Sequence, residues 1–223
     1  MPVLPENPNL DHLHARANDL LRELQEKRPG ASLADALAEL ARRFGFASWQ
    51  DLEAQVKTLP RTADELQHNV QTGWEAFRGA VSDIPEDGFD LVTRSGWTVK
   101  GMLAHVAFWE ETVAPVINSR LRGRPWAGRE EWHGGDPWDP DLTFPEVNHN
   151  AHEAEWARGR SPRLVVDRLD RAHQRVLETL RDLTPEEAAD LRFVRAVAVQ
   201  TYLHYPEHLE EVRVTVGGGA SSC

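Results

Sequence analysis

Apolar residues recur every three or four positions along almost the whole chain, and no alternating run is long enough for a confident strand. The pattern predicts an all-α protein. Between residues 10 and 59 it predicts three short amphipathic helices. The first runs from Leu10 to Glu26, the second is capped by Ser32 ahead of LADALAELARRF, and the third is capped by Ser48 ahead of WQDLEAQV. Pro29-Gly30 and Gly45 separate them, and Pro60 closes the set.

A second series begins near Thr62, where Leu66, Val70, Trp74, Phe77 and Val81 draw one apolar stripe that Ile84-Pro85 ends. Thr98 is an expected N-cap for a helix with Val99, Met102, Leu103, Val106, Trp109, Val113 and Val116 on one face, ended by Gly123 to Pro125. From Arg122 to Pro145 the composition turns to Gly, Pro, Asp and Trp, with Trp126, Trp132 and Trp138 along it. A connection of this length is either a lid over a functional site or a surface loop whose tryptophans fill a shallow groove.

Residues 146 to 157 predict a further helix, and Ser161-Pro162 opens another that ends near Asp182. TPEE at 184 to 187 is a capping box. The following LRFVRAVAVQTYLHYPEHLEEVRV predicts one last long helix, kinked at Pro206. Four long helices with mostly short connections pack most simply as a four-helix bundle over 61–216. Residues 1–60 then form a small N-terminal helical extension, and 217–223 a flexible tail.

Composition narrows the function more than the fold. A net charge of -11 over 223 residues argues against nucleic acid and against anionic membranes, which need clustered Lys and Arg. No stretch approaches the ~20 apolar residues of a membrane span, and Met1 to Asn9 has no secretory pattern, so a cytoplasmic protein is expected. Cys223 stands alone, which leaves no intramolecular disulfide and no cysteine metal knuckle. No phosphate loop, GxSxG elbow or paired-carboxylate hydrolase motif is present. Ten histidines and eight tryptophans are the composition's distinctive surplus.

His204 and His208 stand four apart, so on a helix both imidazoles project from one side. They continue the stripe of Val197, Thr201, Tyr205 and Val212, which faces them inward. His105 lies beside its own helix's apolar stripe, between Met102 and Trp109, and is likewise aimed at the interior. Three neutral imidazoles would hold a divalent ion with open positions, and nitrogen ligands suit Zn, Ni, Co or Fe better than Mg or Ca. The competing reading of the same spacing is a set of hydrogen-bonded core histidines.

GWTVKGMLAHVAFWEE at 96–111, followed by TYLHYPEHLEEVR at 201–213, resembles the DinB-like (DinB/YfiT) superfamily, in the branch that also holds DfsB-type and mycothiol-dependent enzymes. The resemblance spans about 150 residues and omits the first 60. It implies a four-helix bundle, often dimeric, with a divalent metal on one histidine of the WTV-type helix and an HxxxH pair in the last helix. Those positions are His105, His204 and His208 here. It further implies transfer or isomerisation dependent on a low-molecular-weight thiol (mycothiol, bacillithiol or glutathione), or detoxification of electrophilic natural products. Some members lack the metal.

The expected function is metal-dependent activation of such a thiol, or of water, against an electrophilic small molecule. A non-catalytic protein that sequesters a reactive compound in the bundle cavity is the alternative. His152 and Glu207 are candidate catalytic residues: His152, like His149 three residues before it, as a fourth ligand or general base, and Glu207 as a carboxylate orienting a ligand histidine. Both also fit a solvated face, as do His149 and Glu210. Trp97, Trp109, Tyr205 and Asn148 are candidate substrate contacts, with core packing an equal reading for the two tryptophans. His12, His14, His68, His133 and His173 are read as surface or packing residues. SLADALAELARRFGFASWQDLEAQV has a helix-turn-helix outline, yet its second helix, WQDLEAQVKTL, has one Lys and no Arg, which favours docking or dimerisation over base reading.

Overall fold

A computed structural model describes residues 3–124 and 146–219, and every regular element in them is helical apart from an isolated bridge between Val92 and Thr98. The α-helices are α1 Leu10–Lys27, α2 Leu33–Arg43, α3 Trp49–Lys57, α4 Ala63–Ser82, α5 Val99–Val116, α6 Glu146–Arg158, α7 Pro162–Arg181, α8 Pro185–Ala189, α9 Leu191–Ala198 and α10 Tyr205–Gly219. A π-helical turn, Ile117–Leu121, extends α5. The stretch with Trp126, Trp132, His133 and Trp138 lies outside the described residues, as does the side chain of Asn148.

Most helices begin where a short polar side chain can accept from the free N–H groups of a first turn. Asn9, Ser32, Ser48, Thr98, Ser161 and Thr184 all do so, and Ser32 and Thr184 complete reciprocal boxes with Asp35 and Glu187.

The chain forms two compact units, each discontinuous in sequence. One comprises Met1–Leu66 and Thr184–Val199. In it α1 packs on α2 and α2 on α3, and Leu13, Leu40, Leu52 and Val56 are fully enclosed. Arg195, 6% exposed, gives Nε and Nη2 to the Leu4 carbonyl at 3.2 and 3.1 Å, so its guanidinium has a main-chain acceptor inside the unit.

The other unit comprises Gln67–Leu183 and Gln200–Cys223. Its axis is α5, packed chiefly against α6 and α7. Every residue of α5 is buried except Trp109, Ala114 and Pro115, which are half-buried. A one-sided stripe was expected here; instead the helix is enclosed all round, and its polar residues find partners inside. Lys100 pairs with Asp90 at 2.6 Å and donates to the Arg158 carbonyl at 3.2 Å. Glu111 binds Arg168 of α7, and Glu110 binds His173 of α7 and Tyr205 of α10. On α4, Gly73 lets the backbone come close to Tyr202, whose Cβ would sit 2.8 Å from an added Cβ.

The expected last long helix is two. The chain leaves helical geometry after Ala198 and resumes it at Tyr205. Pro206 is therefore the second residue of α10, where its missing N–H has no helical acceptor to lose and its fixed φ suits the first turn. It opens a helix and kinks none.

Candidate metal centre

Three side chains of the second unit meet at one point. His105 comes from the first half of α5, His204 from the turn that precedes α10, and His208 from the first turn of α10. Because α10 begins at Tyr205, His204 and His208 are not two residues of a continuous helix. The turn is held by the N–H groups of His204 and Tyr205, both donating to the Thr201 carbonyl at 2.8 and 3.0 Å.

The ligand atoms of the three rings all lie within 4.8 Å of one another. Nε2 of His105 is 3.3 Å from Nε2 of His204, and Nε2 of His208 is 2.9 Å from that same nitrogen. Nitrogens about 2.05 Å from a tetrahedral ion are themselves about 3.3 Å apart, so the His105–His204 pair stands at that spacing and the His204–His208 pair slightly inside it. The chemistry of the donors fits as well. Burial, then the neighbouring imidazoles, pushes His105 down to about 3 and His204 down to about 2. Burial lowers His208 to about 4, against the opposing charge of Glu211. All three are thus held neutral, the state in which a ring nitrogen has a lone pair to give.

The surroundings orient the rings unequally. Nδ1 of His105 donates to Oδ1 of Asn150 on α6 at 2.9 Å, which leaves its Nε2 as the lone-pair atom facing the other two. Nδ1 of His204 and Nδ1 of His208 are buried with no hydrogen-bond partner among the described residues. Trp97 and Trp109 meet the ring of His105 edge-on, with centroids 5.0 and 6.1 Å away. Trp97 is brought there by the 91–98 turn, in which Thr93 N–H donates to the Trp97 carbonyl at 2.7 Å and Gly96 takes φ +88. Glu211 ties that turn to α10 by accepting the Ser95 N–H at 2.8 Å.

Other expected site residues fall elsewhere. Tyr205 is 1% exposed, and its hydroxyl donates to Glu110 inside the core, so it lines no open surface. Glu207 and Glu210 are exposed on α10; Glu211, one turn on from His208, is the carboxylate whose charge acts on that ring. A helix that starts at Tyr205 points Glu207 outward. His152 is exposed on α6, its Nδ1 3.6 Å from the buried Glu153, while His149 is buried and stacked on Phe108 at 4.8 Å. His173, read as surface or packing, is 1% exposed and stacked on Trp74 at 4.0 Å. Asn150 and the tie from Glu211 to Ser95 escape sequence reasoning because they come from pairs 45 and 116 residues apart. A polar residue beside a helical histidine is the only local hint of Asn150.

An all-helical bundle unit enclosing three converging imidazoles is the class that fold and site define. The chain belongs to the DinB superfamily, whose family model matches residues 69–211, a stretch that contains all three histidines. A crystal structure of an uncharacterised protein from Escherichia coli UTI89 shares this fold, with a TM-score of 0.58 at 15% identity over 75% of this chain and 99% of that one. No curated protein matches the sequence. No helix among the described residues is long and apolar enough to cross a membrane.

Proposed function

We propose that this chain is a metal-dependent enzyme in which His105, His204 and His208 hold a divalent ion, and that it directs a low-molecular-weight thiol or water onto an electrophilic small molecule. The observation that supports this reading most is the convergence of three neutral imidazoles whose ligand atoms all lie within 4.8 Å of one another. Nitrogen donors suit Zn, Ni, Co or Fe. When bound, such an ion supplies Lewis acidity and draws the pKa of a thiol or water ligand toward neutrality.

The chain's own residues prepare the site. Asn150 fixes the tautomer of His105, so that its lone pair is presented at Nε2. Burial keeps protons off all three rings, and proton competition for the lone pairs is weak at neutral pH. Trp97 and Trp109 border His105 with apolar surface that excludes water and suits the hydrocarbon part of an electrophile.

The reading is tested by following the loss of a model epoxide, with mycothiol, with glutathione and with no thiol, before and after exhaustive chelation. Turnover is expected to vanish on chelation and to return with added zinc or nickel. Turnover that survives complete metal removal contradicts it. Dependence on added thiol distinguishes thiol transfer from hydrolysis.

A further inference from the structure

We infer that Glu110 is a positioning residue for His204, acting through the hydroxyl of Tyr205; this rests on the metal-centre reading above. His204 precedes α10, so helical hydrogen bonding does not set its distance from α5. The residue next to it does. Tyr205 is 1% exposed, its ring stacks on Phe77 with centroids 5.1 Å apart, and its hydroxyl donates to Oε1 of Glu110. Glu110 lies on α5 five residues after His105. One rigid helix thus carries both a ligand and the anchor of the segment that brings the second ligand. The spacing of the two Nε2 atoms, 3.3 Å, closes a short circuit through the α5 backbone, the Glu110 carboxyl, the Tyr205 side chain and a single peptide.

His173 of α7 braces the anchor from the other side. Its Nδ1 lies 3.1 Å from the same Oε1, and its ring is held flat against Trp74, with an interplanar angle of 4°. A carboxyl here is not what packing alone would select. Glu110 is 1% exposed, burial raises its pKa, and its Oε2 has no hydrogen-bond partner among the described residues. Burying such a group opposes folding, and an apolar side chain of similar size would fill the space without that penalty. What an apolar side chain lacks is an acceptor able to fix the Tyr205 hydroxyl, and with it the turn carrying His204.

The test uses the full-length protein with Co²⁺ as the probe, reading affinity by chelator competition and geometry by the visible absorption of the bound ion. Circular dichroism and urea midpoints accompany each variant. Tyr205→Phe, which removes one oxygen, is expected to bind Co²⁺ roughly tenfold more weakly and to shift the absorption bands while keeping its helix content. Glu110→Leu should behave alike, and Glu110→Gln, which keeps the acceptor, should stay within about twofold of wild type. Wild-type Co²⁺ affinity and bands in Tyr205→Phe overturn the inference, even with a lowered urea midpoint, and that variant decides alone if Glu110→Leu does not fold. A wild-type protein that takes up no Co²⁺ overturns the metal-centre reading itself, and this inference with it.

Discussion

Two polar clusters lie inside the second unit, one made of opposite charges that satisfy one another and one made of like imidazoles that meet through Nε2 and leave two Nδ1 atoms without a partner among the described residues. In the first, Arg168 of α7 gives Nε and Nη2 to the two oxygens of Glu111 at 3.2 and 2.9 Å, gives Nη1 to Glu153 of α6, and lies over the Trp156 ring. This bidentate pairing with a second carboxylate uses the guanidinium's fork on two helices at once. In the second cluster three imidazoles turn the same kind of atom toward one another, and two of their remaining nitrogens have no partner among the described residues. A closed network ties helices together. A convergence of imidazole nitrogens is what a divalent cation would complete, and that contrast is why we propose the triad as its site.

The sharpest way to break the comparison is Arg168→Met, which strands two buried carboxylates. It should destabilise the metal-free protein by about 3–5 kcal/mol in urea unfolding. A loss below about 1 kcal/mol would show that the first cluster is not the tie it looks to be.

A second effect comes from pH. The three histidines are depressed in the folded state from an ordinary value of 6.5, so on acidification the unfolded chain takes up protons that the folded chain refuses. Stability of the metal-free protein should fall from pH 7 to pH 6 by about 0.7 kcal/mol for each histidine, and keep falling toward pH 4. An unfolding midpoint that rises over this window would contradict the neutral triad.

Smaller still, Asn150→Ala should weaken zinc affinity about 10-fold with little change in folding stability, because it frees the His105 ring without removing a ligand. Unchanged zinc affinity in a chelator competition would leave Asn150 without that role. Least of all, His204→Leu should leave the metal-free protein within about 1 kcal/mol of wild type, since a ring whose Nδ1 has no partner among the described residues gives way to an apolar group. A loss as large as that of Arg168→Met would make the triad a structural network like the first.

Much of this was legible in the sequence. Ser32, Ser48, Thr98, Ser161 and Thr184 announce helix starts because a free first-turn N–H needs a side-chain oxygen within three residues, a local requirement. His105, His204 and His208 stood out by lying on or beside apolar stripes. The break ahead of α10 was not legible, because residues 199–204 continue the apolar rhythm and a proline reads equally as a kink or as a first-turn residue. The partners Asn150, Glu110 and Glu211 were hidden for another reason. Each acts across the fold, on a residue whose proximity only packing creates.

Metal content tests the central claim most directly. Protein purified without a histidine tag, loaded with zinc and passed through a desalting column, should retain about one ion per chain by elemental analysis, and the His105→Ala and His204→Ala variants essentially none. Equal zinc in wild type and both variants, or none in wild type, would contradict it.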